Sequence, residues 1–256
     1  MRILIVRHAE PDYVHDSLTE KGRLEAELLG HRLQRIPAKA YYVSPLGRAR
    51  ETAEYTLRLV NREAETLPWL AEFRGRIPDA SRPWGHRHPW DFRTKVWYDH
   101  EKLFDREHWT EDPLVSGGNV AEIWEETKQG VDSLLATHGY VREGCIYRCE
   151  NNTDDTLVLF CHFGIGMAVM AYLTGLPVVP LWQSHLFLPS SVTTLITQEC
   201  VKGEVEFRCL CAGDVSHLFE KPELISLAGL FPECCNGVES TDPARWPSLP
   251  EKPALG

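Results

Sequence analysis

Met1-Arg2-Ile3-Leu4-Ile5-Val6-Arg7-His8-Ala9-Glu10 opens the chain with four apolar residues running unbroken into an arginine and a histidine. An uninterrupted apolar run of this length reads as a strand buried on both faces, the habit of parallel sheets. Its carboxyl end then carries a cation and an imidazole, two groups able to bind and attack a phosphate. The pattern recurs at Thr156-Leu157-Val158-Leu159-Phe160-Cys161, which ends on His162 before Phe163-Gly164-Ile165-Gly166 opens a helix. Ligands of open α/β sheets gather beyond the carboxyl ends of the strands, so two strands that each stop at a histidine can turn both rings into one crevice. The glycines let the backbone approach an anion at a helix N-terminus.

Outward from the first strand, Ser17 or Thr19 caps a helix whose apolar positions are Leu24, Leu28, Leu29, Leu33 and Ile36, ended by Pro37. Ala40-Tyr41-Tyr42-Val43 is a second strand, and Pro45 suits the first turn of the helix after it. Arg48, just inside that helix, can reach an anion above the strand ends, whereas Arg50 takes a solvated position. Asn119 and Glu122 are expected to form a capping box for a long helix whose buried stripe is Val120, Ile123, Trp124, Thr127, Val131, Leu134 and Leu135. Val141 to Asp155 is polar and turn-rich. The helix after His162 stops at Gly175 and Pro177, and 192–198 with 204–211 form a hairpin at one end of the sheet.

Glu72 is an acidic residue between apolar neighbours, and burial of that kind lifts a carboxyl towards neutrality, so it is the expected general acid. From Arg74 to Trp109 the composition changes to tryptophans, arginines, histidines and prolines without helical or strand period. This stretch, 74–113, is either an inserted cap over the crevice that chooses the substrate or a loop-rich subdomain packed for its own sake. Within it Arg82 and Trp84, together with Phe163, are the expected substrate contacts.

The chain has 256 residues, 43% of them hydrophobic and 25% charged, enough for one α/β core carrying an insertion. The net charge of −10 argues against a nucleic-acid partner. No apolar run approaches the length of a membrane span, and the apolar start is too short for an export signal, which gives a cytoplasmic expectation. The eight cysteines are therefore expected as reduced thiols. Cys209-x-Cys211 with Cys234-Cys235 fits no common zinc spacing, and no metal site is expected. Prolines beyond Leu218 suggest a surface arm or tail over 219–256.

With Arg7-His8, Arg48, Glu72 and His162 in this order, the sequence resembles the histidine phosphatase superfamily, which includes the cofactor-dependent phosphoglycerate mutases. The resemblance covers roughly residues 1–72 and 115–218. It implies a three-layer α/β/α sandwich around a mostly parallel sheet, spanning 1–218 with the cap inserted. Leu4-Ile5-Val6-Arg7-His8-Ala9-Glu10 resembles the nucleophile motif, implying His8 as nucleophile and Arg7 as phosphate ligand. Ser44-Pro45-Leu46-x-Arg48-Ala49-x-x-Thr52-Ala53 resembles the second arginine motif, implying Arg48 as the other ligand. Glu72 falls where many members place the proton donor, with Asp79, Asp91 and Asp99 as alternatives. Cys161-His162-Phe163-Gly164 resembles the second-histidine motif, implying that His162 both binds phosphate and takes part in catalysis, and Ser191-Val192-Thr193 resembles the strand that follows. Ala9, Cys161, Phe163 and Gly118-Asn119 depart from the commonest residues, and Phe163 narrows the pocket.

The resemblance implies a phosphohistidine intermediate and a small phosphorylated substrate. No cofactor or metal is called for, since two guanidiniums and an imidazole meet the charge of a phosphoryl group in transfer. The expected activity is metal-independent phosphomonoester hydrolysis. A mutase that returns the phosphoryl group to another hydroxyl, or a non-catalytic phospho-ligand binder, are the alternatives. The sequence leaves the oligomeric state open.

Overall fold

The computed structural model describes residues 1–219 and Ser226; the proline-rich arm read over 219–256, with Cys234 and Cys235, lies outside them apart from Phe219 and Ser226. The strands of the main sheet are β1 (Arg2–Arg7), β2 (Ala40–Val43), β3 (Glu65–Thr66), β4 (Val141–Glu143), β5 (Ile146–Arg148), β6 (Thr156–Cys161), β7 (Val192–Val201) and β8 (Glu204–Asp214). The helices are α1 (Glu20–Leu33), α2 (Gly47–Val60), α3 (Val120–Thr137), α4 (Phe163–Thr174) and α5 (Val178–Ser184). Sheet order is β3-β2-β6-β1-β7-β8-β5-β4. The first four strands in that order run parallel, and β7 turns the pairing antiparallel.

Alternation along β1 divides the core. Leu4 and Val6 join Tyr41, Val43, Val158 and Phe160 against Leu29 and Leu33 of α1 and Ala53 of α2. Ile3 and Ile5 face the other way, with Leu157, Leu159 and Cys161, against α3 and α4. Helices on both faces make the three-layer α/β/α sandwich that the family resemblance implies. Each fully buried Val, Leu or Ile of these strands contributes roughly 1.5–3 kcal/mol of transfer free energy, which is why the strands carry no polar residue until their ends.

Thr19 caps α1, accepting from Gly22 N at 3.0 Å, and Gly175 at φ 71° ends α4. The stripe of α3 is buried at all seven expected positions. Three details differ from the sequence reading. Asn119 makes no side-chain cap, because its Oδ1 accepts instead from Arg76 N at 2.8 Å. Leu24 is exposed, the apolar face of α1 being completed by Ala26. The β7–β8 hairpin is longer than expected and is not the sheet edge: β5 pairs with β8, and β4 lies beyond it. Among the residues of that small outer hairpin only Tyr147 is buried, so it carries little apolar signal.

Residues 74–113 form a two-stranded pairing of Ile77–Pro78 with His86–Arg87, a helical turn at Thr94–Trp97 and two short 3₁₀ turns. Ile77, Trp90, Phe92, Trp97, Leu103 and Trp109 belong to the same buried cluster as Ile3 and Ile5. No helix among the described residues is long and apolar enough to cross a membrane.

Candidate active site

Strand register builds the site. β1 and β6 run parallel with Arg7 opposite Cys161, so the next residues, His8 and His162, leave the sheet side by side. Their ring centroids are 5.1 Å apart. β2 pairs with β6 so that Val43 lies opposite Phe160, which brings Ser44, the first residue past β2, beside His162. Three neighbouring parallel strands thus end on His8, His162 and Ser44, and all three residues are buried. The next strand completes the frame: Ser190 N donates to the His8 carbonyl at 3.0 Å, and Arg7 N donates to the Ser191 carbonyl at 3.0 Å.

Hydrogen bonds fix which ring atoms face the crevice. His8 Nδ1 lies 2.7 Å from the Ala9 carbonyl, a contact that only an Nδ1–H can make, so Nε2 keeps its lone pair. Burial first, then the Arg7 charge, push His8 well below the ordinary histidine value, and its imidazole is neutral. His162 Nε2 lies 2.7 Å from Ser44 Oγ, which also accepts from Leu46 N at 3.2 Å. With the Ser44 hydroxyl donating to Nε2, the neutral His162 ring carries its hydrogen on Nδ1. Burial, followed by the neighbouring His8 and the two arginines, lowers His162 in the same way.

Each arginine is tethered by a terminal nitrogen. Arg7 Nη1 donates to the Phe187 carbonyl. Arg48 Nη1 reaches Asp16 Oδ1 at 2.5 Å, and the other Asp16 oxygen accepts from Gly47 N at 2.6 Å. The Tyr13 ring lies 5.4 Å from the Arg48 Cζ. Arg7 Nε, Arg48 Nε and His162 Nδ1 are nevertheless buried with no hydrogen-bond partner in the structure. Unpartnered buried donors are costly, and three of them around one neutral imidazole describe a receptor for an anion.

Glu72 stands beside this group rather than in an apolar enclosure. It is half-buried, and its Oε1 accepts from Phe73 N at 2.8 Å and from Ile165 N, in the first turn of α4, at 3.1 Å. A β-carbon at Gly164 would run into the Trp90 ring and lie 2.8 Å from that same oxygen, so glycine is what lets Glu72 and Trp90 close over the helix start. Phe163 lies under Arg7, its ring centroid 5.6 Å from the Arg7 Cζ, with Trp90 edge-on at 5.9 Å. Cys161 is wholly buried in the core, and desolvation pushes its thiol far up, so it is an inert neighbour of the site.

The structure therefore brings Arg7, His8, Arg48, Glu72, His162 and Phe163 together. It does not bring Arg82 and Trp84 to them: Arg82 lies 3.8 Å from Asp79, and Trp84 is 61% exposed. Among the alternative acids, Asp79 is clamped by Ser81 and Arg87 and held at about 2, and Asp99 is exposed. Asp91 accepts from His88 N at 3.1 Å.

Sequence reasoning missed Tyr13, Asp16 and Ser44 as site residues, and it read Arg76, His88 and Trp90 only as part of the arginine-, histidine- and tryptophan-rich segment 74–113. Ser44 had a signal, since it follows an apolar strand as His8 and His162 do. The others come from loops without period. The described thiols are free, including the exposed Cys209 and Cys211, and among the described residues no group of three or more His, Cys, Asp or Glu could hold a metal ion.

Comparison with known proteins agrees with the architecture. The model of the histidine phosphatase superfamily (branch 1) matches residues 3–208. Solved structures similar to the chain include a phosphoserine phosphatase mutant from Entamoeba histolytica in complex with phosphoserine, at 19% identity and TM-score 0.56, covering 85% of this chain and 98% of that one. A mycobacterial glucosyl-3-phosphoglycerate phosphatase matches at 20% identity and TM-score 0.54, over 81% of this chain and 96% of that one. YhfR from Bacillus stearothermophilus matches at 22% identity and TM-score 0.54, over 85% and 98%. At these identities the likeness is one of fold. A search of the curated proteins matched none to this chain.

Proposed function

The chain belongs to the histidine phosphatase superfamily, and from that premise we propose that it is a metal-independent phosphomonoester hydrolase working through a phosphohistidine on His8. The observation that carries the reading is the set of unpartnered buried nitrogens, Arg7 Nε, Arg48 Nε and His162 Nδ1, arranged about a histidine whose Nε2 lone pair is free. Three donors match the three equatorial oxygens over which charge spreads in phosphoryl transfer. The substrate is a small phosphorylated molecule, which accords with the phosphoserine phosphatase and phosphoglycerate phosphatase neighbours.

In the proposed reaction His8 Nε2 attacks phosphorus, the P–O bond to the alcohol breaks, and Glu72 gives its proton to the departing alkoxide. The His8 Nδ1–H bond to the Ala9 carbonyl supports the charge that builds on the ring. Water then attacks the phosphohistidine, its proton passing to the Glu72 carboxylate; the P–N bond breaks and inorganic phosphate leaves. The residues of 74–113 serve as a cap, with Trp90 covering the helix start beside Glu72.

The test is hydrolysis of p-nitrophenyl phosphate with free phosphate measured directly, together with trapping of an acid-labile phosphoenzyme. His8→Ala is expected to lower turnover by about 10⁴-fold or more and to abolish the trapped species. Hydrolysis unchanged in that variant would overturn the role of His8, and transfer to a second alcohol in place of phosphate release would make the enzyme a phosphotransferase.

A further inference from the structure

Three histidines are buried among the described residues, and the proposed reaction engages two of them, His8 and His162. The third, His217, lies in the 3₁₀ turn Ser216–Phe219 after β8. Its ring is neutral, held at about 4 chiefly by burial. Arg32 of α1, anchored to Asp214 at 2.6 Å, brings Nη1 to 3.5 Å from His217 Nδ1. A guanidinium can only donate, so Nδ1 accepts and the ring hydrogen sits on Nε2, which donates to Ser190 Oγ at 3.0 Å.

Ser190 is fully buried and adopts φ 59°, the left-handed region that a residue other than glycine enters at a cost. In that conformation its N–H meets the His8 carbonyl at 3.0 Å, while Ala9 N, the other polar end of the same peptide, donates to Thr52 Oγ1 at 3.0 Å. The His8–Ala9 peptide is thus held at both ends. The next carbonyl, that of Ala9, is the acceptor that fixes the His8 ring through Nδ1. A tilt of this peptide would move that acceptor and release the ring to its other tautomer, with hydrogen on Nε2 and no lone pair toward phosphorus.

We propose that Ser190 and His217 are positioning residues for His8: the bond between their side chains keeps Ser190 left-handed, and Ser190 keeps the His8–Ala9 peptide in the orientation that aims Nε2 at phosphorus. The inference rests on the phosphohistidine reading of His8. Because Arg7, Arg48 and His162 hold the anion, losing this support acts on turnover and leaves phosphate binding in place.

His217→Phe fills the space without a donor, and it should lower kcat for p-nitrophenyl phosphate by about 10- to 100-fold with KM within about threefold of wild type. Ser190→Ala should cost as much, and the double variant no more than either, since both break one bond. His217→Gln, which keeps an N–H, and Ser190→Asn, which tolerates positive φ and keeps an acceptor, should each recover part of the loss.

Two readouts separate positioning from a mere loss of folded protein. Calorimetry with inorganic phosphate should give the wild-type stoichiometry and affinity for His217→Phe. Nitrogen-15 NMR at pH 8, with the His8 ring identified by its absence from His8→Gln, should show Nδ1–H alone in wild type and a mixture of tautomers in His217→Phe. Unchanged kcat, an unchanged His8 spectrum, or a kcat loss matched by an equal loss of phosphate sites would overturn the assignment. A tautomer shift in a protein whose wild type hydrolyses no ester would uphold the positioning of His8 and sink the hydrolase reading instead.

Discussion

The strand ends around His8 and the segment 74–113 are both rich in cations, and they treat them in opposite ways. At the strand ends each guanidinium is anchored by one terminal nitrogen, while Arg7 Nε, Arg48 Nε and His162 Nδ1 stay buried and unpartnered. In the segment several cations find partners close by in sequence, Arg87 and Arg82 on Asp79, His100 on Asp112, Lys102 and His108 on Glu111, while Arg74 reaches Glu126 of α3. Donors in the first region stay without partners at a cost in stability, whereas charge in the second ties loops to one another.

Breaking the contrast at its strong end gives the largest expected effect beyond loss of His8 itself. Arg7→Gln and Arg48→Gln should each lower kcat/KM for p-nitrophenyl phosphate by about 10²–10³-fold, the usual consequence of removing one preorganised donor from a developing anion. A loss of less than about threefold in steady-state kinetics would remove that arginine from the phosphate site.

A smaller effect separates the two regions by pH. His8 and His162 are pushed below the ordinary value near 6.5, and the buried His217, which bonds Ser190 Oγ at 3.0 Å, is held at about 4. The unfolded chain takes up protons at these positions first, so stability falls as pH drops through 6.5 and continues to fall to about 4 and below. His108, exposed beside Glu111, is pushed up, and its contribution has the opposite sign: present at low pH and lost as pH rises past its raised value. Urea midpoints between pH 8 and pH 5 should therefore decline for wild type, and less steeply for a His8→Gln, His162→Gln double variant. Equal slopes in the two proteins would show that the buried imidazoles are not the cause.

The smallest effect is expected in the segment. Asp79→Asn removes the partner of Arg87 and should lower the melting temperature slightly while changing kcat/KM for p-nitrophenyl phosphate by less than about threefold. A much larger kinetic loss would make Asp79, in place of Glu72, the proton donor.

How far the sequence could be read follows the same division. Strands and helices announced themselves through period and caps, as in β1, β6 and the stripe of α3, because burial of one face imposes a repeat that needs no partner to be visible. Ser44 was legible by the same rule and was passed over. The outer strands β4 and β5 were not legible, since Tyr147 is their one buried residue. In 74–113, four tryptophans look alike in sequence, yet Trp90, Trp97 and Trp109 are buried while Trp84 is exposed.

The amino-acid sequence by itself determined the layered α/β fold and that two histidines and two arginines would gather at the strand ends, because apolar runs fix buried strands and the residues after them must emerge at the sheet's carboxyl edge. Tertiary structure alone decided which nitrogens stay without partners, that Asp16 and the Phe187 carbonyl tether the arginines, and that Trp90 closes over the helix start beside Glu72 while Trp84 is exposed. Those outcomes depend on hydrogen bonds and ring contacts between segments far apart in the chain, and no local period encodes such pairings.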